Sequence, residues 1–448
     1  MMDGKTDRRQ FLRDSAGFIA AAAATCCPAA SYARIVGANN RVRVGVVGFA
    51  DRSKNSLLPA FQRLASEQNF ELVALSDIWN RRRDEGVEFL RTLTGASSIA
   101  AARNNEELYE MKDLDAVIIA TADFQHALHG VEAVRAGRHA YIEKPLAQTM
   151  DDARAILAAV DETKKIVQIG SQRRSGEPYI KANEYIRSGE FGDINMVEMT
   201  WNVNQPGRWR RPQLVKEVRQ EDTDWTRYLM NRPKVEWDPR KYIEYRLFWP
   251  YSTGIPGQWM VHQIDTIHWF TGFDFPRSVV ASGGIYQWHD GRTNPDTMTA
   301  VFDYGPADEP EKGFQVVYSS RMGNSAGGTR ELYYSNGGMI NLDTGEISPT
   351  GGLEATPASA MEMQPRLLPK RMLTEKKTET VTAANTGVDL MTMAHMRNWM
   401  ECIRSGKTPA ADVRSGYNHS VAVCMTMAAL ETGKRVTFDA KKQDVVIS

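Results

Sequence analysis

The stretch Gly45-Val46-Val47-Gly48-Phe49-Ala50-Asp51-Arg52-Ser53 joins the first apolar run of the chain to a segment with helical spacing. A dinucleotide-binding turn has the pattern Gly-x-Gly-x-x-Gly, because tight turning and close backbone approach to a pyrophosphate need glycine. Gly48 fits the first glycine, whereas Ala50 and Ser53 stand at the other two positions. The stretch therefore predicts either an ordinary strand-to-helix turn or a phosphate-binding turn. In the second case the contacts come from Gly48, Phe49, Ala50, Asp51 and Arg52.

Outward from this turn, short β-rich runs alternate with helical patterns as far as Gly170. The predicted strands are Val42–Val47, Glu71–Ser76, Ala116–Thr121, His139–Ile142 and Ile166–Ile169. The predicted helices are Leu57–Ala65, Arg83–Leu93, His126–Ala136 and Asp151–Thr163. Mostly unbroken apolar strands that alternate with helices indicate a buried parallel sheet with right-handed crossovers, an α/β Rossmann fold over residues 34–170.

After residue 170 the pattern changes to runs of strands, which predicts an α+β domain over residues 171–448 with a largely antiparallel open sheet. The predicted strands are Asn195–Asn202, Ser278–Trp288, Asp296–Tyr304, Phe314–Ser320, Arg330–Ser335 and Met339–Leu342. The predicted helices are Tyr179–Ser188, Trp259–Phe270 and the closing pair Leu390–Ser405 and Ser415–Gly433. We expect an irregular stretch at Gln205–Pro256 and a long arm or loop at 343–387.

Composition limits the classes of protein. The 448 residues contain 55 Lys and Arg and 55 Asp and Glu, so the chain has no net basic field for nucleic acid or an anionic membrane. Four cysteines make no disulfide scaffold, and no Cys/His cluster has metal spacing. After residue 33 the sequence has no run of about 18 apolar residues, so it predicts no membrane-spanning helix there.

Residues 1–33 have the pattern of an export signal. Asp7–Arg13 contains paired arginines followed by Phe-Leu-Arg, Ala16–Ala24 is small and apolar, and Ser31-Tyr32-Ala33 offers a cleavage site. This pattern resembles a twin-arginine (Tat) signal, which moves folded proteins, and it predicts a periplasmic or otherwise exported protein. An uncleaved amphipathic leader is the alternative.

Asp77 ends the second predicted strand, where an acid binds the ribose hydroxyls of NAD. Arg81, Arg82 and Arg83 follow directly and can accommodate the 2′-phosphate of NADP instead. The sequence favours NAD, with NADP as the alternative.

Two basic side chains are candidates for proton chemistry. Lys144 follows a buried strand, where doubly wound sheets place ligands, although a surface turn stabilised by Pro145 fits the same spacing. His262 shares a helix face with Asp265 and titrates near neutrality, although a core histidine satisfied by that acid fits equally.

An ordered set of motifs resembles the glucose-fructose oxidoreductase/inositol dehydrogenase/MocA family. The set comprises Val44–Gly48, Asp77, Ala120-Thr121, His126-Ala127, Glu143-Lys144-Pro145-Leu146, Gly170-Ser171-Gln172-Arg173, the His262–Asp265 helix, His395, Asn398 and Cys402-Ile403-Arg404-Ser405-Gly406-Lys407. The resemblance implies a nicotinamide cofactor, a sugar or cyclitol substrate, and a homo-oligomer formed through the C-terminal sheet. It assigns cofactor contacts to Gly48, Asp77, Thr121, His126, Glu143 and Lys144, catalysis to Lys144 and His262, and the substrate cleft to Gln172, Arg173, Gln258 and Asp265.

One position departs from the family pattern in a way that bears on the reaction. Many dehydrogenases of the family have an aspartate four residues before the histidine, and Gln258 stands there. Three hypotheses follow: a sugar or cyclitol oxidoreductase, a glycoside hydrolase or lyase that uses bound NAD transiently, and a catalytically silent sugar-binding protein. Export favours a cofactor that is carried tightly bound.

The segment 201–251 is rich in aromatic residues and arginine, which suits either sugar stacking or a subunit interface. Its members are Trp201, Trp209, Trp225, Trp237, Trp249, Tyr242, Tyr245, Tyr251, Arg208, Arg210, Arg211 and Arg246.

Overall fold

The structure is a computed structural model that describes residues 40–204, 209–374 and 388–447. The predicted export signal, Arg208 and residues 375–387 of the predicted arm lie outside these ranges.

The N-terminal half is built on a six-stranded parallel sheet. Its strands are β1 (Val42–Val47), β2 (Phe70–Ser76), β3 (Ala100–Ala102), β4 (Ala116–Ile119), β5 (His139–Ile142) and β6 (Val167–Ile169). Its helices are α1 (Leu58–Gln68), α2 (Asn80–Thr94), α3 (Asn105–Tyr109), α4 (His126–Arg135) and α5 (Met150–Thr163). The strand order is β3-β2-β1-β4-β5-β6, which confirms the predicted Rossmann topology.

This strand order decides where a ligand can sit. The chain leaves the sheet on opposite sides after β1 and β4, so a crevice opens between the carboxyl ends of these two adjacent strands. Gly48 and Thr121 lie at those ends, and Lys144 lies just beyond β5. The strands themselves are apolar because both faces are covered; Val44 and Ile118, for example, are fully buried.

The C-terminal half is built on a ten-stranded sheet. Its strands are β7 (Ile194–Trp201), β8 (Ser278–Gly284), β9 (Thr297–Tyr304), β10 (Phe314–Arg321), β11 (Thr329–Ser335), β12 (Gly338–Asn341), β13 (Glu346–Ser348), β14 (Arg371–Met372), β15 (Val436–Asp439) and β16 (Asp444–Ile447). Among the described strands, every neighbouring pair is antiparallel except β7 and β10. The predicted largely antiparallel sheet is confirmed.

Eight helices belong to the described part of the C-terminal half. They are α6 (Glu177–Arg187), α7 (Pro212–Glu217), α8 (Trp225–Leu229), α9 (Pro239–Ile243), α10 (Val261–Thr271), α11 (Ala355–Ala360), α12 (Leu390–Ser405) and α13 (Val413–Thr432). A π-helical turn precedes α1 at Ser53–Leu57, and another precedes α10 at Pro256–Met260. Helix α12 packs on α1 and the first sheet, and its Trp399 is fully buried there.

Short elements account for most differences from the sequence predictions. Strand β3 is three alanines at a sheet edge, which carry no β-branched or aromatic signal. The predicted irregular stretch contains short helices that begin at capping residues such as Asp224 and Asp238. The predicted arm contributes the edge strands β13 and β14, whose pairing depends on tertiary contacts.

Candidate active site

A cavity of about 560 Å³ lies at the carboxyl ends of the first sheet and extends to the C-terminal half. All of the predicted site residues line it except Asp265. They are Gly48, Phe49, Ala50, Asp51, Arg52, Asp77, Thr121, His126, Glu143, Lys144, Gln172, Arg173, Gln258 and His262. Among the described residues, no group of three His, Cys, Asp or Glu side chains is placed to hold a metal ion.

The turn after β1 requires glycine at its first position. Gly48 has φ +85°, and a Cβ atom added there would lie 2.7 Å from the Thr121 Cγ2 atom. Ser53, at the third glycine position, is buried, and its hydroxyl donates a hydrogen bond of 2.9 Å to the Gly48 carbonyl. Ala50 is exposed. The two substitutions therefore leave the turn intact, because one side chain braces it and the other projects outward.

Asp77 connects the end of β2 to this turn. Its carboxylate accepts hydrogen bonds of 2.9 Å from the backbone N–H groups of Phe49 and Trp79. Burial raises the pKa of Asp77 to about 6, against the effect of these two donors. Arg82 also lines the cavity, with its guanidinium 5.5 Å from the Trp79 ring centroid. An acid and an arginine thus stand together where a dinucleotide's adenosine ribose would bind.

Thr121 and His126 form the wall beside Gly48. The Thr121 Oγ1 atom is buried and has no hydrogen-bond partner among the described residues. His126 Nδ1 lies 2.9 Å from the Pro145 carbonyl, and its Nε2 lies 3.3 Å from the Thr121 carbonyl. Burial lowers the pKa of His126, so the ring is neutral and its single N–H can donate to only one of these two carbonyls; the shorter distance is to Pro145, after β5. A glycine cradle and a buried orphan hydroxyl on one wall fit a nucleotide cofactor.

Glu143 and Lys144 follow β5 and are both buried. Glu143 accepts a hydrogen bond of 2.9 Å from Arg52 Nε and one of 3.1 Å from Gln172 Nε2. Lys144 Nζ donates to the main-chain carbonyl of Gln258 at 2.9 Å. Burial lowers the pKa of Lys144 to about 8, although the adjacent Glu143 carboxylate favours its charged form. The ammonium is therefore held at the junction of the two halves.

His262 approaches from the C-terminal half, on the first turn of α10. Its ring stacks on Trp201 with a centroid distance of 5.8 Å, and its nitrogens make no hydrogen bond to any other described residue. Burial and the neighbouring charges of Lys144 and Arg173 lower the pKa of His262 well below its usual value. A neutral imidazole in the cavity wall with an unused lone pair can accept a proton.

Gln172 and Arg173 lie between these two groups, in the turn after β6. The Arg173 guanidinium lies 5.7 Å from the Trp201 ring centroid and forms a buried ion pair with Glu331. Because Glu331 is on β11 of the second sheet, Arg173 is fixed from the C-terminal half although its backbone follows the first sheet. Arg173 therefore lines the cavity, and its contact with a substrate stays a prediction.

The prediction that Asp265 contacts the substrate is wrong. Asp265 is 1% exposed and accepts hydrogen bonds of 2.8 and 3.0 Å from Arg174, and His419 Nδ1 lies 3.5 Å away. Three helical residues turn the chain by about 300°, so Asp265 is rotated about 60° from His262, toward Arg174 and α13. The Arg174 guanidinium, against the effect of burial, holds the pKa of Asp265 below its usual range. The carboxylate is structural.

Comparison with known proteins agrees with this geometry. Residues 42–171 match the family described as GFO_IDH_MocA, an oxidoreductase family with an NAD-binding Rossmann fold. Through this segment the chain is similar to the GFO/IDH/MocA oxidoreductase family. The match ends where β6 gives way to the Gln172 turn, so it covers the whole first sheet.

Two groups of curated proteins are similar to this chain. An inositol 2-dehydrogenase of Salmonella paratyphi B is 29% identical over 195 residues, which is 42% of this chain and 55% of that protein. A glycosyl hydrolase family 109 protein of Shewanella pealeana is 26% identical over 183 residues, 38% of this chain and 39% of that protein. The chain thus matches about half the length of these relatives, or less.

Solved structures extend the likeness to the whole fold. The WlbA dehydrogenase of Bordetella pertussis, solved with NADH and UDP-GlcNAcA, superposes with a TM-score of 0.61 at 19% identity. The superposition covers 89% of this chain and 99% of that one. Both sheets therefore share the fold of that dehydrogenase.

Gln258, which replaces the aspartate found in many members of the family, is held on three sides. Its Oε1 accepts a hydrogen bond of 2.9 Å from Arg246 Nε, its Nε2 donates to Asp123, and its main-chain carbonyl receives Lys144 Nζ. Sequence reasoning missed Asp123 and Arg246 as partners of this residue. Asp123 lies between Thr121 and His126 in a recognised motif, but nothing in the sequence connects it to position 258.

Sequence reasoning also missed the path of residues 209–251, here called the strap. The strap crosses from the C-terminal half onto the loops of the first sheet. Four ion pairs join the strap to the N-terminal half. They are Arg211–Asp51 at 3.0 Å, Glu217–Arg81 at 2.5 Å, Arg227–Glu106 at 2.6 Å and Arg232–Asp152 at 3.2 Å. Gln125 Nε2 also donates to the Tyr228 carbonyl at 2.8 Å. The strap therefore forms one rim of the cavity.

The aromatic residues of segment 201–251 divide into two sets. Trp201, Trp209 and Tyr245 line the cavity, together with Arg211 and Arg246. Trp225, Trp237, Tyr242 and Tyr251 form a packed cluster under the strap, in which Trp225 contacts Trp237 at 5.2 Å and Tyr242, which also lines the cavity, contacts Trp79 at 6.1 Å between ring centroids. Trp249 is 43% exposed and lies outside both sets. Most of this segment binds the strap to the N-terminal half, and the smaller set is available to a ligand.

Proposed function

We propose that this chain is a nicotinamide-dependent oxidoreductase that acts on a carbohydrate or cyclitol hydroxyl, with NAD as the cofactor and NADP as the alternative. The observation that carries the proposal is the meeting of Lys144 and His262, one from each half, in a cavity built on the Gly48 turn. A cation and a neutral base on opposite sides of one space match the needs of alcohol oxidation.

The cofactor, when bound, accepts or returns a hydride at the nicotinamide ring. Gly48, the Thr121 hydroxyl and Asp77 hold it along the crevice of the first sheet. Lys144 donates a hydrogen bond to the substrate oxygen and stabilises negative charge there, while His262 Nδ1 or Nε2 takes the alcohol proton. Lys144 is buried and His262 is half-buried, which limits the access of water to the proton transfer.

The strap supports tight retention of the cofactor. Its ion pairs reach Asp51 in the phosphate turn and Arg81 beside the ribose position, so a dinucleotide would lie beneath it. Release then requires these contacts to open together. This suits a protein that carries its cofactor through export, which we propose from the twin-arginine pattern of residues 1–33.

Oxidation-assisted bond cleavage is the second candidate. Curated relatives named as glycosyl hydrolase family 109 proteins favour it, as does a strap that retains the cofactor between half-reactions. In this cycle His262 takes a proton during oxidation and returns it during reduction, and the net redox change is zero. We further propose a homo-oligomer through the open face of the second sheet.

Two measurements test the proposal. Purified protein is denatured, and the supernatant is assayed for nicotinamide nucleotide; we expect roughly one per chain, and none would support a silent sugar-binding protein. The intact protein is then incubated with a sugar and cyclitol panel without added cofactor. Paired oxidised and reduced products indicate an oxidoreductase, whereas a cleaved glycosidic bond indicates the second candidate.

A further inference from the structure

A buried carboxylate that the sequence analysis did not single out, Asp123, lies in the cavity wall beside the catalytic pair. Its side chain is 2% exposed. It accepts hydrogen bonds from Ser252 Oγ at 2.6 Å and from Gln258 Nε2. Within the described ranges it forms no ion pair. Because its donors are neutral, no paired cation cancels the negative charge of a carboxylate here, and that charge can act on the other groups of the site. This is a common arrangement at active centres.

Gln258 connects this carboxylate to Lys144. The side-chain amide of Gln258 donates to Asp123, and the main-chain carbonyl of the same residue accepts from Lys144 Nζ at 2.9 Å. Residue 258 lies in the π-helical turn Pro256–Met260, so anchoring its side chain fixes the direction of its carbonyl. Asp123 thus acts on Lys144 both through this turn and through direct charge attraction.

We propose that Asp123 is the positioning carboxylate of this active site: it anchors the Gln258 turn against Lys144 and supplies, from the N-terminal half, the negative charge that position 258 lacks. The inference deepens the proposed function and rests on it for the role of Lys144. It assigns Asp123 no direct contact with a reacting atom.

The charges around Lys144 set the sign of the expected effect. The carboxylates of Glu143 and Asp123 favour the ammonium form, and the guanidinium groups of Arg246 and Arg52 oppose it. The two neighbouring histidines, at 126 and 262, have lowered pKa values and are uncharged near neutrality. Removing the Asp123 charge therefore lowers the pKa of Lys144, because the balance moves toward the two arginines.

Competitive trace acetylation of the full chain across pH 6–10 measures this directly and needs no substrate. Trypsin releases Lys144 within the peptide His139–Arg154, where it is the only lysine. We expect wild-type labelling to rise with a midpoint at about pH 8. In Asp123→Asn, whose amide oxygen still accepts hydrogen bonds, the midpoint should fall by about one pH unit. Asp303→Asn is the matched control, because Asp303 also accepts from a serine hydroxyl but lies on the second sheet.

The exchange variant Asp123→Asn/Gln258→Asp tests the assignment from the other side. It returns one carboxylate and one amide to the pair, and we expect the midpoint to move back toward the wild-type value. An unchanged midpoint in folded Asp123→Asn overturns the proposal, and so does failure of the exchange to restore it. If Asp123→Asn does not fold, the smaller uncharged Asp123→Ser carries the same expectation. Because labelling requires no turnover, absence of nicotinamide would refute the proposed function without affecting this result.

Discussion

The two walls of the cavity are built by different means. In the N-terminal half the path of the backbone determines where the functional groups lie, since Gly48, Thr121 and Lys144 all lie where parallel strands end and the chain must turn. In the C-terminal half side-chain contacts determine these positions. His262 is placed by stacking on Trp201, and Gln258 is placed by its hydrogen bonds to Arg246 and Asp123. A site at strand ends therefore follows from element order, whereas a site on a helix face depends on partners far along the chain.

The largest effect should come from removing the cation at the junction of the walls. We expect Lys144→Met to reduce turnover by about 10²- to 10⁴-fold, because no other group would hold the substrate oxygen from that side. Nicotinamide content and circular dichroism should match the wild type. Steady-state rates on the responsive sugar measure the loss, and full activity would show that the N-terminal wall contributes no catalytic group.

The next largest effect concerns stability and tests whether Asp265 is structural rather than part of the reactive wall. Arg174→Met leaves the buried Asp265 carboxylate without its guanidinium, and we expect the free energy of unfolding to fall by about 3–5 kcal/mol. Glu67→Gln breaks the exposed pair with Arg397 and should cost far less, because solvent screens an exposed pair. Urea denaturation measures both. Equal losses would mean that burial of Asp265 does not determine its role.

Backbone control of the N-terminal wall is tested at Gly48. Gly48→Ala adds a Cβ 2.7 Å from Thr121 Cγ2 at a positive φ, and we expect a loss of about 1–3 kcal/mol together with reduced nicotinamide content. Gly95→Ala is the control, since it has φ +71° and nothing within 4 Å. Thr121→Ser in the Gly48→Ala background removes the obstructing methyl group. It should recover part of the cofactor, and no recovery would indicate strain of φ alone.

The smallest effect should come from the exposed ion pairs of the strap; of its four pairs to the N-terminal half, only Arg232–Asp152 is buried. Arg211→Gln breaks the pair with Asp51, and we expect cofactor release to accelerate by less than about fivefold. Release from the wild type should quicken with added salt, because screening weakens such pairs. Stopped-flow transfer of nicotinamide to a scavenging dehydrogenase measures the rate. A rate independent of both changes would exclude the strap as the barrier.

The sequence predicts the N-terminal wall well because each of its features is local. Strand β1 and strand β5 have the predicted bounds, and the Glu143-Lys144 pair lies at a strand end as expected. Ser53 could also have been anticipated, since a hydroxyl can bond a nearby carbonyl. Helix α12 likewise has the predicted bounds, because its heptad-like apolar spacing is self-contained.

The arrangement of residues in the C-terminal wall cannot be predicted from a single sequence. The pairing of Asp123 with Gln258 spans 135 residues, and no spacing rule connects them. Asp265 is misassigned because two residues on one helix face can still meet different neighbours. The strap lacks long periodic elements, so its path over the first sheet depends on ion pairs that only the folded structure brings together.

Helix α12 has a consequence for how the protein is made. Its Trp399 lies 6.4 Å from Phe70 and 5.9 Å from Tyr141 between ring centroids, and it seals an apolar face of a sheet whose strands all precede residue 170. Helix α1 also packs on this face, so only the part next to Phe70 and Tyr141 waits for a segment near the end of the chain. A core whose last side chain is synthesised some 230 residues after its final strand exposes apolar surface during synthesis, and the first half of the chain therefore cannot complete its own packing.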